Sequence, residues 1–357
     1  MKKIIAIALS SLLLLSACGS SSSAPAEDPV EKYGSDTLKL FTWGEYLGEN
    51  VIQNFEKQYG VKVIVEYFDS NEMMYTKISA GDKYDVLIPS DYMIQRLMNE
   101  EMLQPLDKSL ISNMSVLTSG VKNLAFDPEN DYSVPFFWGS VGLVYNKENV
   151  PESVIEEKGF EILRDTDYVG RIYMYDSERD SFMVALKALG YSMNTENDDE
   201  IEEAYQWLLE LDEKMDPAYV TDEVIDNMMN GTKDIAVVYS GDATVILDEN
   251  PDMAFSMPKE GTNIWCDSMC IPANAESPRL AHEFINYMLT DEAAYDNTTT
   301  VGYASTNDAI LKEVSENEYA GNGAYVPRDG YEKDEVFVDN EVLRQKLSQL
   351  WLKVKAQ

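Results

Sequence analysis

The chain has 357 residues, with 64 acidic side chains, 28 basic side chains and a single histidine, which give a formal net charge of −36. This acidic excess argues against a nucleic-acid partner, because binding phosphate groups requires clustered Lys and Arg. The negative electrostatic potential of such a chain attracts cationic ligands. Acidic surface charge also serves the solubility of an exported protein, so it does not by itself indicate a ligand. A hydrophobic content of 45% is ordinary for a globular protein, and the length favours two domains over one.

Residues 1–17 have the pattern of a signal peptide. Two lysines precede an apolar run, Ile4 to Leu15, which is too short to span a bilayer in the mature protein. Small residues directly before Cys18 resemble a bacterial lipobox, and this resemblance implies cleavage before Cys18 and a lipid on its sulfur. A secretory signal with an incidental Cys is the alternative. Cleavage removes two lysines and no acid, so the net charge of −36 becomes −38.

The serine-rich stretch after Cys18 predicts a flexible tether over residues 18–35. A lipid and a tether together indicate a protein that is anchored to a membrane and does not span it.

The chain then alternates strands and helices with short connections. Hydrophobic periodicity and capping glycines predict the strand Leu38–Trp43, the helix Val51–Tyr59, the strand Val61–Tyr67, the helix Asn71–Ala80 and the strand Asp85–Ile88. This order favours an α/β fold with a parallel sheet, and such sheets bind ligands outside the carboxyl ends of their strands. Trp43-Gly-Glu-Tyr46 and Ser90-Asp-Tyr92 follow two of those ends.

A second α/β unit follows. Its predicted elements are the strand Arg171–Tyr175, the helices Asp180–Leu189 and Ile201–Leu211, the strand Asp234–Tyr239, the extended segments Ala254–Pro258 and Trp265–Ile271, and the helix Val342–Val354. In an extended segment Cys266 and Cys270 would stand about 13 Å apart, too far for a disulfide. We expect both to be small buried apolar residues.

Few enzyme classes fit the sequence. The single histidine, His282, lies in a segment with helical spacing, and the chain has no G-x-S-x-G, H-E-x-x-H, G-x-x-x-x-G-K-[ST] or G-x-G-x-x-G motif. No Cys or His partners flank the two cysteines, so we predict no metal site and no cofactor. Paired carboxylates could still serve a secreted hydrolase such as a glycosidase, which is the enzyme alternative to a binding function.

Several segments between about residue 36 and about residue 310 resemble, in order, the bacterial spermidine/putrescine-binding proteins. They are Leu40–Tyr46, Ser70–Tyr75, Tyr84–Ser90, Asn130–Gly139, Pro258–Gly261, Trp265–Ala275 and Gly302-Tyr303 followed by Asn307. The resemblance implies a two-lobed periplasmic-binding-protein (venus flytrap) fold with strand crossovers between the lobes. Lobe one would be residues 36–141 plus 265–311, and lobe two residues 142–264 plus 312–357, with the ligand in the cleft between them.

The resemblance further implies a non-enzymatic, extracytoplasmic component of an ABC importer, which delivers a polyamine to membrane permease subunits. A polyamine carries protonated amines on a methylene chain, so its site needs spaced carboxylates and aromatic faces. Asp267 is the principal candidate, because in an extended segment it shares one face with Trp265 and Met269. A lone acid in such surroundings is costly to bury without a cation.

Two further acids are candidates for the second lobe. Asp180 matches the family's acid there, but Ser177 stands where the family has another acid, and Asp176 is the residue before it. Ser177 and Asp176 are therefore possible site residues. Asp242 follows a strand end, and on spacing alone it fits a helix N-cap as well as a ligand contact.

The resemblance also implies an aromatic wall, with Ser90 as a polar contact. Its members are Trp43, Tyr46, Tyr92, Tyr239, Trp265 and Tyr303. Trp138 is interpreted as a hinge or core residue and not as part of the site. A sugar is the rival ligand for this fold, because sugar sites also use Trp and Asp.

Overall fold

The computed structural model describes residues 28–356, in which helices and strands alternate. The helices are α1 Pro29–Tyr33, α2 Val51–Tyr59, α3 Asn71–Ser79, α4 Asp91–Asn99, α5 Glu152–Lys158, α6 Glu178–Ala188, α7 Asp198–Met215, α8 Glu223–Met229, α9 Ser240–Glu249, α10 Pro278–Met288, α11 Asp291–Val301, α12 Asp308–Glu316 and α13 Glu341–Val354. The strands are β1 Thr37–Trp43, β2 Lys62–Phe68, β3 Val86–Leu87, β4 Ser133–Asn146, β5 Ile172–Tyr175, β6 Ala218–Val220, β7 Ile235–Tyr239, β8 Met253–Ser256, β9 Ile264–Cys270 and β10 Ala304–Ser305.

Local signals in the sequence fix where the first helices begin and end. α2 ends at Gly60, which has a left-handed φ of 68° and donates its N–H to the carbonyl of Glu56. α3 begins after Ser70, whose hydroxyl accepts the N–H of Met73 at 3.1 Å. The elements predicted from periodicity between residues 38 and 88 are confirmed, with small differences at their ends.

The predicted signal peptide of residues 1–17, Cys18 and most of the predicted tether lie outside the described residues. Residues 28–35, the last part of the predicted tether range, are described and include helix α1. Helix α1 is capped by Asp28 and Gly34, and its Tyr33 is buried with its ring 6.4 Å from that of Tyr59. Helix α1 therefore belongs to the packed body of the protein, because an aromatic side chain that docks on the core fixes the short helix that carries it.

The strands lie in the order β2-β1-β3-β9-β4-β7-β5-β6, and β8 and β10 each pair with β4. β1 is parallel to β2 and β3, and β5 is parallel to β6 and β7. Helices connect these parallel neighbours, as crossover connections require. β9 runs antiparallel to both β3 and β4.

Strand β4 joins the two halves of the sheet. Residues 133–140 pair with β9, and residues 141–146 pair with β7 or β8. Its side chains are almost all buried. The strand therefore passes through the molecule and is part of both halves.

The buried hydrophobic residues form two cores. The first core contains residues from 33–138 and 265–325, and the second contains residues from 141–253 and 324–354. We call the halves around them the first and second lobes. The residue limits predicted for the lobes from the sequence stay a prediction.

Two further findings on the described chain concern its cysteines and the character of its helices. Cys266 and Cys270 are buried free thiols, as predicted. None of the described helices has the length and apolar character needed to cross a membrane.

Gly139 in β4 provides a test of the junction between the lobes. A Cβ there would lie 2.3 Å from the indole of Trp265 and 2.7 Å from the hydroxyl of Ser240. Gly139→Ala is therefore expected to lower the free energy of unfolding by about 1–3 kcal/mol, the usual cost of overpacking. Urea denaturation followed by circular dichroism measures it. Gly323→Ala is the control, because a Cβ there meets no atom within 4 Å. Equal midpoints for the two variants would contradict this packing.

Candidate functional site

The predicted ligand-binding side chains gather where the two lobes meet. Tyr92 and Tyr239 each pack against both cores. Trp43 is the last residue of β1 and Tyr239 the last of β7, so both stand at carboxyl strand ends. We call this boundary the cleft, and it is lined by Tyr46, Trp265, Asp267 and Tyr303 from the first lobe and by Asp180, Tyr239 and Asp242 from the second.

Asp267 is the central carboxylate of the first lobe. It lies on β9, and only 6% of its surface is exposed. The hydroxyl of Tyr46 donates to its Oδ2 at 2.6 Å, and the hydroxyl of Ser90 also donates to it. Burial raises the pKa of Asp267 to about 6, although the two hydroxyl donors lower it in part.

Asp242 is held by tyrosines of both lobes. Helix α9 begins at Ser240, so Asp242 lies in its first turn and is not its N-cap. Tyr175 and Tyr303 donate their hydroxyls to its two carboxylate oxygens, the latter at 3.1 Å. Burial raises the pKa of Asp242 to about 6, against the opposing effect of these hydrogen bonds.

The sequence analysis missed Tyr175. It lies in an apolar strand, where a tyrosine is easily interpreted as a core residue. Its position at the carboxyl end of β5 is the signal that could have found it, since Trp43 and Tyr239 occupy the same position on β1 and β7.

Asp180 is the third carboxylate of the cleft, and only 5% of its surface is exposed. Ser177 is the N-cap of α6, and its hydroxyl donates to Asp180 Oδ2 at 2.7 Å. The hydroxyl of Tyr239 donates to the same oxygen at 2.7 Å. Ser177 therefore orients the acid from the position where the family has a second acid.

Asp176 is not brought into the cleft. It is exposed and forms an ion pair with Lys355 at 3.1 Å, near the end of the chain. Of the two alternatives for the missing acid, the structure places Ser177 beside Asp180 and directs Asp176 away from it.

Aromatic rings connect the three carboxylates. The rings of Trp265 and Tyr303 lie edge to face at 5.0 Å, and those of Tyr46 and Tyr303 at 5.8 Å. Tyr239 reaches Trp265 at 6.2 Å, and Trp43 reaches Tyr46 at 6.5 Å. The wall is therefore continuous across the two lobes, and all its predicted members except Tyr92 take part in it.

Gly241 lets the lobes approach closely. A Cβ at this position would lie 1.8 Å from the ring of Tyr303, so any larger residue would displace the ring. This contact explains why a glycine precedes Asp242.

Tyr92 lies at the edge of the cleft, and its ring is covered by Arg179 of α6. The guanidinium carbon is 3.3 Å from the ring centroid. The hydroxyl of Tyr92 accepts from the side-chain amide of Asn71 at 3.0 Å and donates to Glu72 at 3.3 Å. Tyr92 is therefore placed beside the site, but one face of its ring is already taken.

Asp91 is a buried acid that the sequence analysis did not include in the site. Its carboxylate accepts the N–H groups of Tyr92 at 2.6 Å and Cys266 at 3.2 Å, and only 1% of its surface is exposed. Burial raises its pKa to about 7, and the charge of Asp267 adds to the shift. Its two backbone donors give it a structural function, because they join α4 to β9.

The described residues contain no group of three or more His, Cys, Asp or Glu side chains arranged to hold a metal ion. The cleft carboxylates instead face hydroxyl groups and aromatic rings. Such a lining suits an organic ligand more than a metal ion.

A cleft between two α/β lobes, lined by polar groups and aromatic rings, defines a solute-binding protein. Residues 50–323 match the family described as bacterial extracellular solute-binding protein, and the chain belongs to that family. This membership confirms the predicted two-lobed α/β fold and the prediction of a binding function over an enzymatic one.

Several similar proteins are named as spermidine/putrescine-binding or spermidine/putrescine transporter proteins. The chain is 35% identical over 284 residues, 79% of this chain and 80% of the relative, to the spermidine/putrescine-binding periplasmic protein of Escherichia coli (strain K12). It is 34% identical to the spermidine/putrescine ABC transporter substrate-binding protein PotD from Streptococcus pneumoniae, with a TM-score of 0.78 over 90% of this chain and 99% of that one. A putative spermidine/putrescine ABC transporter from Listeria monocytogenes is 36% identical, with a TM-score of 0.79 and the same coverage.

The raised pKa of Asp267 predicts a pH-dependent stability. Between pH 4 and 6 the folded protein holds a proton on Asp267 that the unfolded chain has lost, so stability falls as the pH rises through this window. Asp267→Asn removes this loss of stability, because an amide does not titrate. Without ligand, the variant is expected to be about 1–3 kcal/mol more stable than the wild type at pH 7.

Chemical denaturation at pH 4 and pH 7 measures the effect, and the advantage of the variant is expected to disappear at pH 4. The exposed Glu202→Gln on α7 is the control, and it is expected to show no such difference. An advantage of Asp267→Asn that is equally large at both pH values would contradict the assignment.

Proposed function

We propose that this protein is the extracytoplasmic substrate-binding component of an ABC importer and that it binds a polyamine in the cleft. One observation carries the proposal. Asp180, Asp242 and Asp267 converge on one cleft, and among the described residues none of the three forms a salt bridge with Lys, Arg or His. Buried or half-buried carboxylates that form no salt bridge favour a ligand that brings positive charge.

The arrangement suits amines joined by methylene groups. An ammonium group donates hydrogen bonds and carries charge, so it pairs with a carboxylate that still has free lone pairs. The rings of Trp265 and Tyr303 offer apolar surface to the methylenes and cation–π attraction to the amines. Carboxylates from both lobes let one extended ligand contact both lobes at once.

The names of the relatives support this ligand class and the transport role. In this proposal the protein binds spermidine or putrescine outside the cytoplasm and passes it to membrane permease subunits. It needs no cofactor for this task, because binding and release are its only chemistry.

A carboxylate-dependent hydrolase is disfavoured because the chain belongs to a family of solute-binding proteins.

A sugar is the second candidate ligand, and one observation favours it. The indole N–H groups of Trp43 and Trp265 are buried and have no hydrogen-bond partner among the described residues. An indole nitrogen only donates, so a sugar hydroxyl could accept from it, whereas a protonated amine could not. An ordered water could fill the same role beside a polyamine.

Isothermal titration with spermidine, putrescine and a panel of sugars tests the proposal. We expect the wild type to bind a polyamine and no sugar. Asp267→Asn is expected to weaken polyamine binding at least about thirtyfold, because losing one partner of a buried charge pair costs about 2–5 kcal/mol.

Glu202→Gln is the control for the titration, since an exposed charge on α7 is screened within about 10 Å. If the net charge of the whole protein were the source of affinity, both variants would weaken binding slightly and similarly. Wild-type affinity in Asp267→Asn would overturn the proposed site. Binding of a sugar in place of a polyamine would overturn the proposed ligand.

We further propose that Cys18 carries a lipid that anchors the protein to the cell membrane. The apolar run before it and the serine-rich stretch after it support this proposal. Cys18→Ser is expected to release the protein into the soluble fraction, because the acyl anchor is lost and the folded body is unchanged. Cell fractionation with immunoblotting measures it, and equal membrane retention of the variant would contradict the anchor.

A further inference from the structure

Arg179 crosses the boundary between the lobes at the edge of the cleft. It lies in the first turn of α6, a helix that packs into the second core. Its guanidinium carbon is 3.3 Å from the ring centroid of Tyr92, and its Nη2 is 3.8 Å from Glu72 Oε1. Tyr92 and Glu72 lie in the first turns of α4 and α3, two helices of the first lobe. Among the described residues, no other ion pair joins the two lobes.

This contact spans the strand that connects the lobes. Helix α4 follows β3 and helix α6 follows β5, and in the sheet these two strands stand on opposite sides of β4, each two places from it. When two lobes rotate about the strands that join them, elements on opposite sides of the junction separate. The contact of Arg179 with Tyr92 and Glu72 therefore depends on the lobes being close together.

The surroundings of Arg179 make the stacking on Tyr92 the larger part of this contact. Only 20% of the Arg179 side chain is exposed, and its guanidinium carbon is also 5.2 Å from the ring centroid of Phe337. The amide of Asn71 donates to the hydroxyl of Tyr92 at 3.0 Å and so fixes the ring. Cation–π attraction grows as the cation loses water. The side chain of Glu72 is 51% exposed, and exposed ion pairs contribute little.

A second direct contact joins the lobes through α4. The backbone N–H of Asp339 donates to Gln95 Oε1 at 2.8 Å. Gln95 lies three residues after Tyr92 and so on the same face of α4. Asp339 is tied to the second lobe by an ion pair with Arg344 of α13 at 2.8 Å. One face of α4 therefore contacts the second lobe through groups of the protein itself.

We propose that Arg179 is a closure latch, whose contacts with Tyr92 and Glu72 stabilise the lobes in their closed arrangement and slow the release of a ligand. The inference rests on the proposed binding of a ligand between the lobes, and it applies to every ligand that the closed cleft encloses. A ligand leaves only after the lobes separate, so the free energy of the latch adds to the barrier for release. A ligand enters before the latch forms, so its association rate is independent of Arg179.

The latch predicts an effect of opposite sign to that of charge alone. Arg179 is the one residue between Ser177 and Phe182 that carries positive charge, and it interacts electrostatically with Asp180. Removing this charge would by itself make the cleft more negative and strengthen the binding of a cation. Weaker binding after removal of Arg179 therefore indicates lost contact between the lobes.

Stopped-flow fluorescence with putrescine and with spermidine tests the latch. Arg179→Gln is expected to release both amines about three- to thirtyfold faster than the wild type, with an unchanged association rate, because one cation–π contact of the closed form is lost. Arg179→Lys keeps the charge but loses the planar stacking, so its release rate is expected to lie between the two. An unchanged release rate, or a gain in affinity, in Arg179→Gln would overturn the latch.

Arg96→Gln is the matched control. It removes an arginine with similar geometry, 3.5 Å from the ring centroid of Tyr75 and 2.9 Å from Glu100, but within the first lobe. Its contacts do not change when the lobes separate, so we expect wild-type release rates. Faster release in this variant would show that the loss of any stacked arginine has the same effect, and would overturn the latch.

A double-mutant cycle distinguishes the latch from a structural effect on α6. In protein that already carries Tyr92→Leu and Glu72→Gln, Arg179→Gln is expected to cause no further increase in the release rate, because its partners are absent. A further increase as large as in the wild type would assign Arg179 to the positioning of Asp180 and overturn the latch. A wild type that binds neither amine overturns the proposed polyamine function and the inference with it, whereas normal binding with additive effects overturns only the inference.

Discussion

Negative charge that is largely withdrawn from water and that no salt bridge neutralises is the constraint on which the proposed site depends. Asp267, Asp242 and Asp180 are withdrawn from water, and the hydroxyls of tyrosines and serines supply hydrogen bonds but no charge. Hydrogen bonds of this kind offset only part of the cost of desolvating a carboxylate. The remainder is expressed as raised pKa values of Asp242 and Asp267. In the proposed function a cationic ligand relieves this cost directly, so the desolvated charge that destabilises the ligand-free protein contributes to the affinity for the ligand.

The two-lobed fold divides these carboxylates between the lobes. Asp267 belongs to the first lobe, and Asp180 and Asp242 belong to the second. Tyr303 already crosses the boundary to donate to Asp242, and Arg179 crosses it in the other direction to reach Tyr92 and Glu72. A ligand with two ammonium groups neutralises charge on both sides at once. In the proposed function such a ligand couples binding to closure of the lobes, because a ligand shifts a conformational equilibrium by its difference in affinity for the two states.

The large net charge of the chain acts differently from the carboxylates in the cleft. Charges on the surface attract cations over long distances, but salt screens them within about 10 Å. In the proposed function, affinity and selectivity depend instead on a few groups in the cleft, where water is scarce and charge interactions are strong.

The sequence by itself determined the local elements and which candidate side chains stand at strand ends, and it predicted Asp267 as the principal acid of the proposed site. Periodicity and capping residues act over a few positions, and an acid between Trp265 and Met269 in an extended segment stands out for the same reason. Only the tertiary structure decided what each side chain contacts. It joined Tyr175 and Tyr303 to Asp242, paired Ser177 with Asp180, sent Asp176 to Lys355 and covered Tyr92 with Arg179. These contacts link residues far apart in the chain and in different lobes, so no local pattern encodes them.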